Sequence, residues 1–104
     1  MPNEVTVSDP LGKTIYFLPE ILFSQNENEE IYDDAITVIK KPALLVEVQE
    51  NNTIQRYYFR SIGNNKTLLI TVRQNIDRWE AYSCIKNPSR ETLFSILKKG
   101  NQLI

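Results

Sequence analysis

The sequence predicts an α+β domain in which a four- to five-stranded antiparallel meander sheet carries an N-terminal helix on one face and is followed by a C-terminal helix. Two observations predict this class. Apolar residues recur at helical spacing in two segments, and four β-rich runs between these segments are separated by short turns. The chain has 104 residues, 41% of them apolar, which suits a single domain over residues 1–104 with its own core.

The first predicted elements are a short strand and a helix. Residues 14–18 (TIYFL) are bounded by Gly12 and Pro19, which is typical of a strand between turns. Residues 24–30 (SQNENEE) indicate the start of a helix, because asparagine caps free N–H groups and acidic side chains favour the positive end of the helix dipole. The helix runs to about Lys41 and ends at Pro42. Its apolar stripe consists of Ile31, Tyr32, Ala35, Ile36, Val38 and Ile39.

Four strands and a second helix follow. The strands are predicted over residues 43–50, 54–62, 66–74 and 78–86, and the short polar connections between them favour an antiparallel meander. Residues 87–100 (NPSRETLFSILKKG) predict the second helix, with Ser89 as its N-cap and Gly100 at its end.

Composition excludes several classes of chemistry. The chain has one cysteine, Cys84, and no histidine, so an internal disulfide, a zinc site and histidine-dependent nucleophilic catalysis are not expected. No apolar run reaches the roughly 18–20 residues needed to span a bilayer, and the N-terminus lacks the pattern of a signal peptide. We therefore expect a cytoplasmic protein without membrane contact, metal or cofactor.

Charge is distributed unevenly along the chain. Ten acidic and three basic residues give residues 1–50 a net charge of −7, whereas nine basic and three acidic residues give residues 51–104 a net charge of +6. Such an asymmetry indicates either an anionic partner for the basic half or two differently charged solvated surfaces of one domain.

Side-chain alternation assigns each strand residue to one of two sheet faces. One face is expected to be apolar and to hold the first helix. Its residues are Leu44, Val46, Val48, Tyr57, Phe59, Leu68, Ile70, Val72, Trp79, Ala81 and Ile85. The other face is expected to be polar. Its residues are Glu47, Gln49, Arg56, Tyr58, Arg60, Thr71, Arg73, Arg78, Glu80 and Tyr82. Three interpretations of this polar face remain: a solvated surface, an anion-binding or catalytic surface, and a protein-binding surface.

Four short motifs stand in order along the chain: AITVIKKP (35–42), RYYFRSIG (56–63), TLLITV (67–72) and RWEAY (78–82). Their order and character resemble the barnase–EndoU–colicin–RelE-like (BECR) ribonucleases, which occur as toxin domains in bacteria and phages. The resemblance covers about residues 14–86. Many members use a histidine, which this chain lacks, and some RelE-like members work with Arg, Lys and Tyr instead.

The resemblance implies metal-independent cleavage of RNA on the polar face, by attack of a 2′-OH on the adjacent phosphate. It implies Glu80 as general base and Arg60 and Arg73 as phosphate clamps. Tyr82 or Tyr58 would donate a proton or stack against a base. The implied catalytic residues are Arg60, Arg73, Glu80 and Tyr82, and the implied RNA- or anion-binding residues are Arg56, Tyr58, Thr71 and Arg78.

The alternative hypothesis is a protein-binding module of the immunity or phage-accessory type. The acidic surface of the first helix would then bind a basic partner. Its residues are Glu27, Glu29, Glu30, Asp33 and Asp34. The partners considered are therefore RNA, an antitoxin or another protein, and a second copy of the chain that hides a sheet edge or the Arg/Tyr face.

Overall fold

The computed structural model describes residues 5–17, 29–63 and 65–104, and its architecture is α+β as predicted. The elements are β1 (Val5–Ser8), β2 (Thr14–Phe17), α1 (Glu29–Lys40), β3 (Leu44–Glu50), β4 (Thr53–Gly63), β5 (Lys66–Asn75), β6 (Arg78–Lys86), α2 (Arg90–Lys99) and β7 (Asn101–Gln102). The predicted helix start over residues 24–28 lies outside the described residues.

The strands form one seven-stranded sheet in the order β1-β2-β6-β5-β4-β3-β7. The predicted meander is present as β3, β4, β5 and β6, but the prediction of a purely antiparallel sheet with four to five strands is wrong. The β1–β2 hairpin extends the sheet, and β2 pairs with β6 in parallel, with Ile15 opposite Trp79. This pairing joins segments that are distant in sequence, so no turn between them signals it.

Helix α1 covers one face of the sheet, which we call the α1 face. Ala35, Val38 and Ile39 of the predicted apolar stripe are fully buried. Lys66 Nζ on β5 also pairs with Asp34 Oδ2 of the helix at 3.2 Å. The sheet residues of this core are Val7, Ile15, Phe17, Leu45, Tyr58, Leu68, Ile70, Val72, Trp79, Ala81 and Cys84. Burial of these apolar side chains stabilises the packing of α1 against the sheet.

Helix α2 covers part of the opposite face, which we call the α2 face. Ser89 caps the helix as predicted, because its hydroxyl accepts a hydrogen bond from Thr92 N at 3.1 Å. Gly100 ends it where the chain passes so close to β3 that a Cβ would lie 2.7 Å from the carbonyl oxygen of Glu47. The smaller core below α2 consists of Val46, Val48, Leu69 and Ile96, with Leu44, Tyr57, Phe59 and Leu93 packed around it.

The predicted division of the strands into an apolar and a polar face is wrong, because the apolar residues belong to two faces. The register places Tyr58 opposite Ile70 and Tyr57 opposite Thr71. The α1 face therefore holds the even-numbered residues of β4 and β5, and the odd-numbered residues lie on the α2 face. Strand β4 carries aromatic side chains at both parities (RYYFR, 56–60), so alternation within this strand alone did not determine which ring faces α1.

A β-bulge at Tyr82 reverses the alternation within β6. Thr71 pairs with Ser83 and Val72 pairs with Ala81, which leaves Tyr82 without a cross-strand partner. An extra residue of this kind redirects the side chains that follow it. Cys84 is consequently buried on the α1 face, and Tyr82 is exposed.

Candidate functional site

A row of polar side chains crosses three neighbouring strands on the α2 face. Tyr16 on β2 is opposite Glu80 on β6, and Glu80 is opposite Arg73 on β5. Residues that are directly opposite in a sheet project to the same side, so a phenol, a carboxylate and a guanidinium stand side by side. None of the three is fully buried, which leaves the row accessible to a ligand.

The carboxylate of Glu80 is fixed by hydrogen bonds to both oxygens. Its Oε1 accepts from Asn75 Nδ2 at 2.9 Å. Its Oε2 accepts from Arg78 Nε at 2.9 Å and from Arg78 Nη2 at 2.5 Å. The hydrogen bond from Asn75, followed by that from Arg78, lowers the pKa of Glu80 below its ordinary value. Glu80 is therefore an ionised and oriented carboxylate at neutral pH.

Two guanidinium–phenol pairs flank this carboxylate. The Cζ of Arg73 lies 4.5 Å from the ring centroid of Tyr82, and the Cζ of Arg78 lies 4.6 Å from that of Tyr16. Each distance is within the range of a cation–π contact. Arg73 is exposed, and no carboxylate oxygen among the described residues lies within 4 Å of its guanidinium. Arg73 is thus a positive charge held in place by an aromatic ring and open to an anion.

We call these six residues the Glu80 cluster: Tyr16, Arg73, Asn75, Arg78, Glu80 and Tyr82. A pocket of about 390 Å³ lies between the α2 face and α2. One of its lining residues, Thr71, is on the same strand as Arg73 of the cluster and precedes it by two residues. Its lining residues are Val48, Glu50, Tyr57, Leu69, Thr71, Ile85, Glu91, Thr92, Ser95, Ile96 and Lys99. The volume lies within the range of small-ligand pockets, about 300–1,000 Å³.

Tyr57 lines the pocket, and its phenol is near enough to that of Tyr82 in the cluster for the two to interact electrostatically. Burial raises the pKa of Tyr57, and the nearby phenol of Tyr82 and the carboxylate of Glu50 raise it further. Its hydroxyl donates a hydrogen bond to Gln55 Oε1 at 2.8 Å. Tyr57 is therefore a neutral side chain at physiological pH, and it presents ring surface rather than charge to the pocket.

The sheet brings together three of the four predicted catalytic residues. Arg73, Glu80 and Tyr82 all belong to the Glu80 cluster, together with Arg78 from the predicted RNA-binding set. Thr71 shares their face and lines the pocket.

Arg60 lies elsewhere, so its predicted place beside Arg73 is wrong. It is opposite Leu68, which belongs to the core of the α1 face. Its Nη1 donates a hydrogen bond to the carbonyl oxygen of Lys41, just beyond the end of α1, at 2.9 Å. The side chain thus holds the end of the helix on the sheet and points away from the cluster.

Arg56 and Tyr58 are also misplaced by the prediction, because both are buried on the α1 face. Asp9 Oδ2 accepts from Arg56 Nη1 at 3.2 Å and from the hydroxyl of Tyr58 at 2.6 Å. Arg56 Nε also donates to Glu47 Oε1 at 3.0 Å, and the guanidinium stacks 4.9 Å from the ring centroid of Trp79. These side chains join the β1–β2 turn to the sheet and are not available to RNA.

Sequence reasoning missed Tyr16, Asn75 and Asp9. Tyr16 joins the cluster only through the parallel β2–β6 pairing, which no local pattern predicts. Asn75 precedes the two-residue β5–β6 loop, and its amide folds back to Glu80. The role of Asp9 in its turn could have been predicted from sequence, because an aspartate shortly before Pro10 and Gly12 is typical of a residue that caps a turn. Its Oδ1 accepts from the backbone N–H groups of Leu11 at 3.0 Å and Lys13 at 2.8 Å.

Other chemistry is limited within the described part of the chain. The described residues contain no group of three or more His, Cys, Asp or Glu side chains that could hold a metal ion. No described helix has both the length and the apolar character needed to cross a membrane. Burial raises the pKa of the Cys84 thiol to about 11, so this side chain is a core residue rather than a nucleophile.

Comparisons with known proteins give no match. No protein-family model, no curated protein and no solved structure is similar enough to this chain to place it in a family. The resemblance to BECR ribonucleases therefore stays a prediction, and a functional assignment depends on the geometry of the Glu80 cluster.

Proposed function

We propose that the chain is a small ribonuclease-like domain that cleaves RNA without a metal ion at the Glu80 cluster. The observation that carries the proposal is the position of the Glu80 carboxylate, which lies between Arg73 and Arg78, each stacked on a tyrosine ring. Such a site combines a base, two cations and aromatic surface within one exposed row. Strand cleavage by a 2′-OH needs these groups: a proton acceptor, positive charge for the phosphorane and a platform for unstacked bases.

In the proposed reaction, Glu80 accepts the proton of a 2′-OH while the 2′-oxygen forms a bond to the adjacent phosphorus. The bond from phosphorus to the 5′-oxygen breaks, and the departing oxygen takes a proton from the phenol of Tyr82. The products are a 2′,3′-cyclic phosphate and a 5′-hydroxyl. Arg73 stabilises the negative charge that develops on the phosphoryl oxygens, since its guanidinium is open to an anion in the free protein.

Tyr58, the other proton donor considered from sequence, does not fit this reaction. Its side chain is fully buried and its hydroxyl donates to Asp9. Burial, followed by the hydrogen bond to Asp9 and the charge of that carboxylate, strongly raises the pKa of Tyr58. Tyr16 and Tyr82 are the phenols of the cluster, and Tyr82 is the one whose ring contacts Arg73, the proposed phosphate-binding cation.

The proposal is tested by incubating a single-stranded RNA of mixed sequence with purified protein in EDTA. We expect cleavage to leave 2′,3′-cyclic phosphate ends, and we expect no cleavage at a position where the 2′-OH is replaced by hydrogen. Glu80→Gln removes the proton acceptor but keeps the size of the side chain, and a loss of about 10²–10⁴-fold in kcat is expected for a general base. Wild-type protein that leaves RNA intact, or Glu80→Gln protein as active as wild type, contradicts the proposal.

Binding of a basic protein through the acidic surface of α1 has less support. Asp34 is already paired with Lys66 at 3.2 Å, and Glu27 lies outside the described residues. The side chains of Glu29 and Glu30 also lie outside the described ones. Asp33 is exposed, and an exposed carboxylate by itself contributes little to affinity. A salt-sensitive protein complex formed by a chain without ribonuclease activity is the result that would favour this second function.

A further inference from the structure

The tip of the β5–β6 hairpin has an unusual conformation and composition. Asn75 pairs with Arg78, so Ile76 and Asp77 form a two-residue loop. Ile76 has a φ of 55°, and no other residue of this loop has a positive φ. Hairpin loops usually fill such a position with glycine, asparagine or aspartate, and a β-branched residue is sterically unfavourable there.

The side chain of Ile76 does not stabilise the fold by burial, because 93% of its surface is exposed. An exposed Ile76 neither fills the core nor relieves the strain of its own backbone. The other described non-glycine residues with positive φ are all asparagines: Asn51, Asn52, Asn65 and Asn87. The chain thus uses the favourable residue at four positions and an unfavourable one at the tip of this hairpin.

The two residues that flank the loop are both bound to the site carboxylate. Asn75 donates to one oxygen of Glu80, and Arg78 donates to the other. The carboxylate therefore fixes the base of the loop, and Ile76 directly follows Asn75 of the Glu80 cluster along the chain. A loop whose two ends are already held loses less entropy when it contacts a ligand.

From these observations we infer that Ile76 is a substrate-contact residue that packs against an unstacked base of the RNA bound at the Glu80 cluster. The inference rests on the proposed function. Apolar side chains can insert between or against bases, and Arg73, three residues before Ile76, would hold a neighbouring phosphate. The occupant is thus single-stranded RNA rather than a protein, since an apolar tip bordered by guanidinium groups matches bases joined by phosphates.

The test compares Ile76→Asn with wild type for thermal stability and for the kinetics of RNA cleavage. Asparagine accepts the backbone conformation, so the midpoint of unfolding should stay unchanged or rise. Loss of the apolar contact should raise KM for a single-stranded RNA by about five- to tenfold with little change in kcat, as a base contact of roughly this strength predicts. Ile76→Leu keeps an apolar tip and should retain most of the wild-type KM.

Asn65→Gly is the matched control. Asn65 is at the opposite end of the sheet, in the turn between β4 and β5, and its φ of 56° is nearly that of Ile76. This change alters another turn residue with positive φ without touching the cluster, so KM should not move. A wild-type KM in Ile76→Asn, or a lowered unfolding midpoint that shows a folding role for Ile76, overturns the inference alone. Absence of both RNA cleavage and RNA binding by wild-type protein overturns the proposed function and the inference together.

Discussion

Replacement of Asp9 by alanine should destabilise the fold more than any exposed substitution, because Asp9 neutralises a buried guanidinium. Its side chain is completely buried and accepts four hydrogen bonds, two from side chains and two from the backbone of its own turn. Asp9→Ala leaves Arg56 and the hydroxyl of Tyr58 without this partner inside the protein. Loss of one member of a buried ion pair costs about 3–5 kcal/mol, which is a large part of a typical stability of roughly 5–15 kcal/mol.

The assay is urea unfolding followed by the fluorescence of Trp79, the one tryptophan of the chain, which stacks on Arg56. Asp9→Asn is the milder variant, because its amide oxygen can still accept from the turn while the negative charge is lost. A double-mutant cycle of Asp9→Ala with Tyr58→Phe isolates the 2.6 Å hydrogen bond between the two side chains. We expect a coupling free energy of about 1.5–3 kcal/mol, since the acceptor is charged.

Asp33→Ala is the matched control for Asp9→Ala. Asp33 is an exposed aspartate of α1, and its replacement should change the free energy of unfolding by less than about 0.5 kcal/mol. If Asp9→Ala destabilises the protein by less than about 1 kcal/mol, the buried Asp9–Arg56–Tyr58 network does not hold the β1–β2 turn to the sheet. Arg56 and Tyr58 would then be free for another role.

Three further predictions follow from single sites. Gly100→Ala should destabilise the fold by about 1–3 kcal/mol in the same urea assay, because its Cβ would collide with Val46 and with the carbonyl oxygen of Glu47. The lowered pKa of Glu80 keeps the base ionised at neutral pH, so kcat/KM should fall only as the pH drops below the ordinary glutamate pKa of about 4.3. Asn75→Ala removes the largest cause of the lowered pKa, so the acidic limb of the pH–rate profile should shift to higher pH. Because the Cys84 thiol has a pKa of about 11, alkylation at pH 8 should be much slower in native protein than in urea, as mass spectrometry of the labelled chain can measure.

Local patterns predicted the elements well and their arrangement less well. The predicted strand over residues 78–86 agrees with β6, Ser89 caps α2, and α1 ends one residue before the predicted Lys41. These features depend on alternation, capping and turn residues, which are all properties of neighbouring residues in the chain.

The candidate site was predicted in part. Arg73 and Glu80 are correctly placed together because a tight two-residue loop fixes their register. The position of Tyr82 depends on a β-bulge, and Tyr16 reaches Glu80 through a parallel pairing of distant strands. Arg56 was assigned to the wrong face because its buried partner, Asp9, lies in a turn far away in sequence. The alternation of apolar and polar residues depends only on neighbours within one strand. The burial of a charged side chain depends on partners from other parts of the chain.

The most direct test of the Glu80 cluster as an RNA-cleaving site is the ratio of cleavage rates for Arg73→Ala and Arg60→Ala in EDTA. The two variants lose the same side chain from neighbouring strands, but Arg73 belongs to the cluster and Arg60 binds the end of α1 on the other face. We expect Arg73→Ala to retain less than about one tenth of the wild-type kcat/KM and folded Arg60→Ala to retain nearly all of it. Equal rates for the two variants would contradict the assignment of catalysis to this face of the sheet.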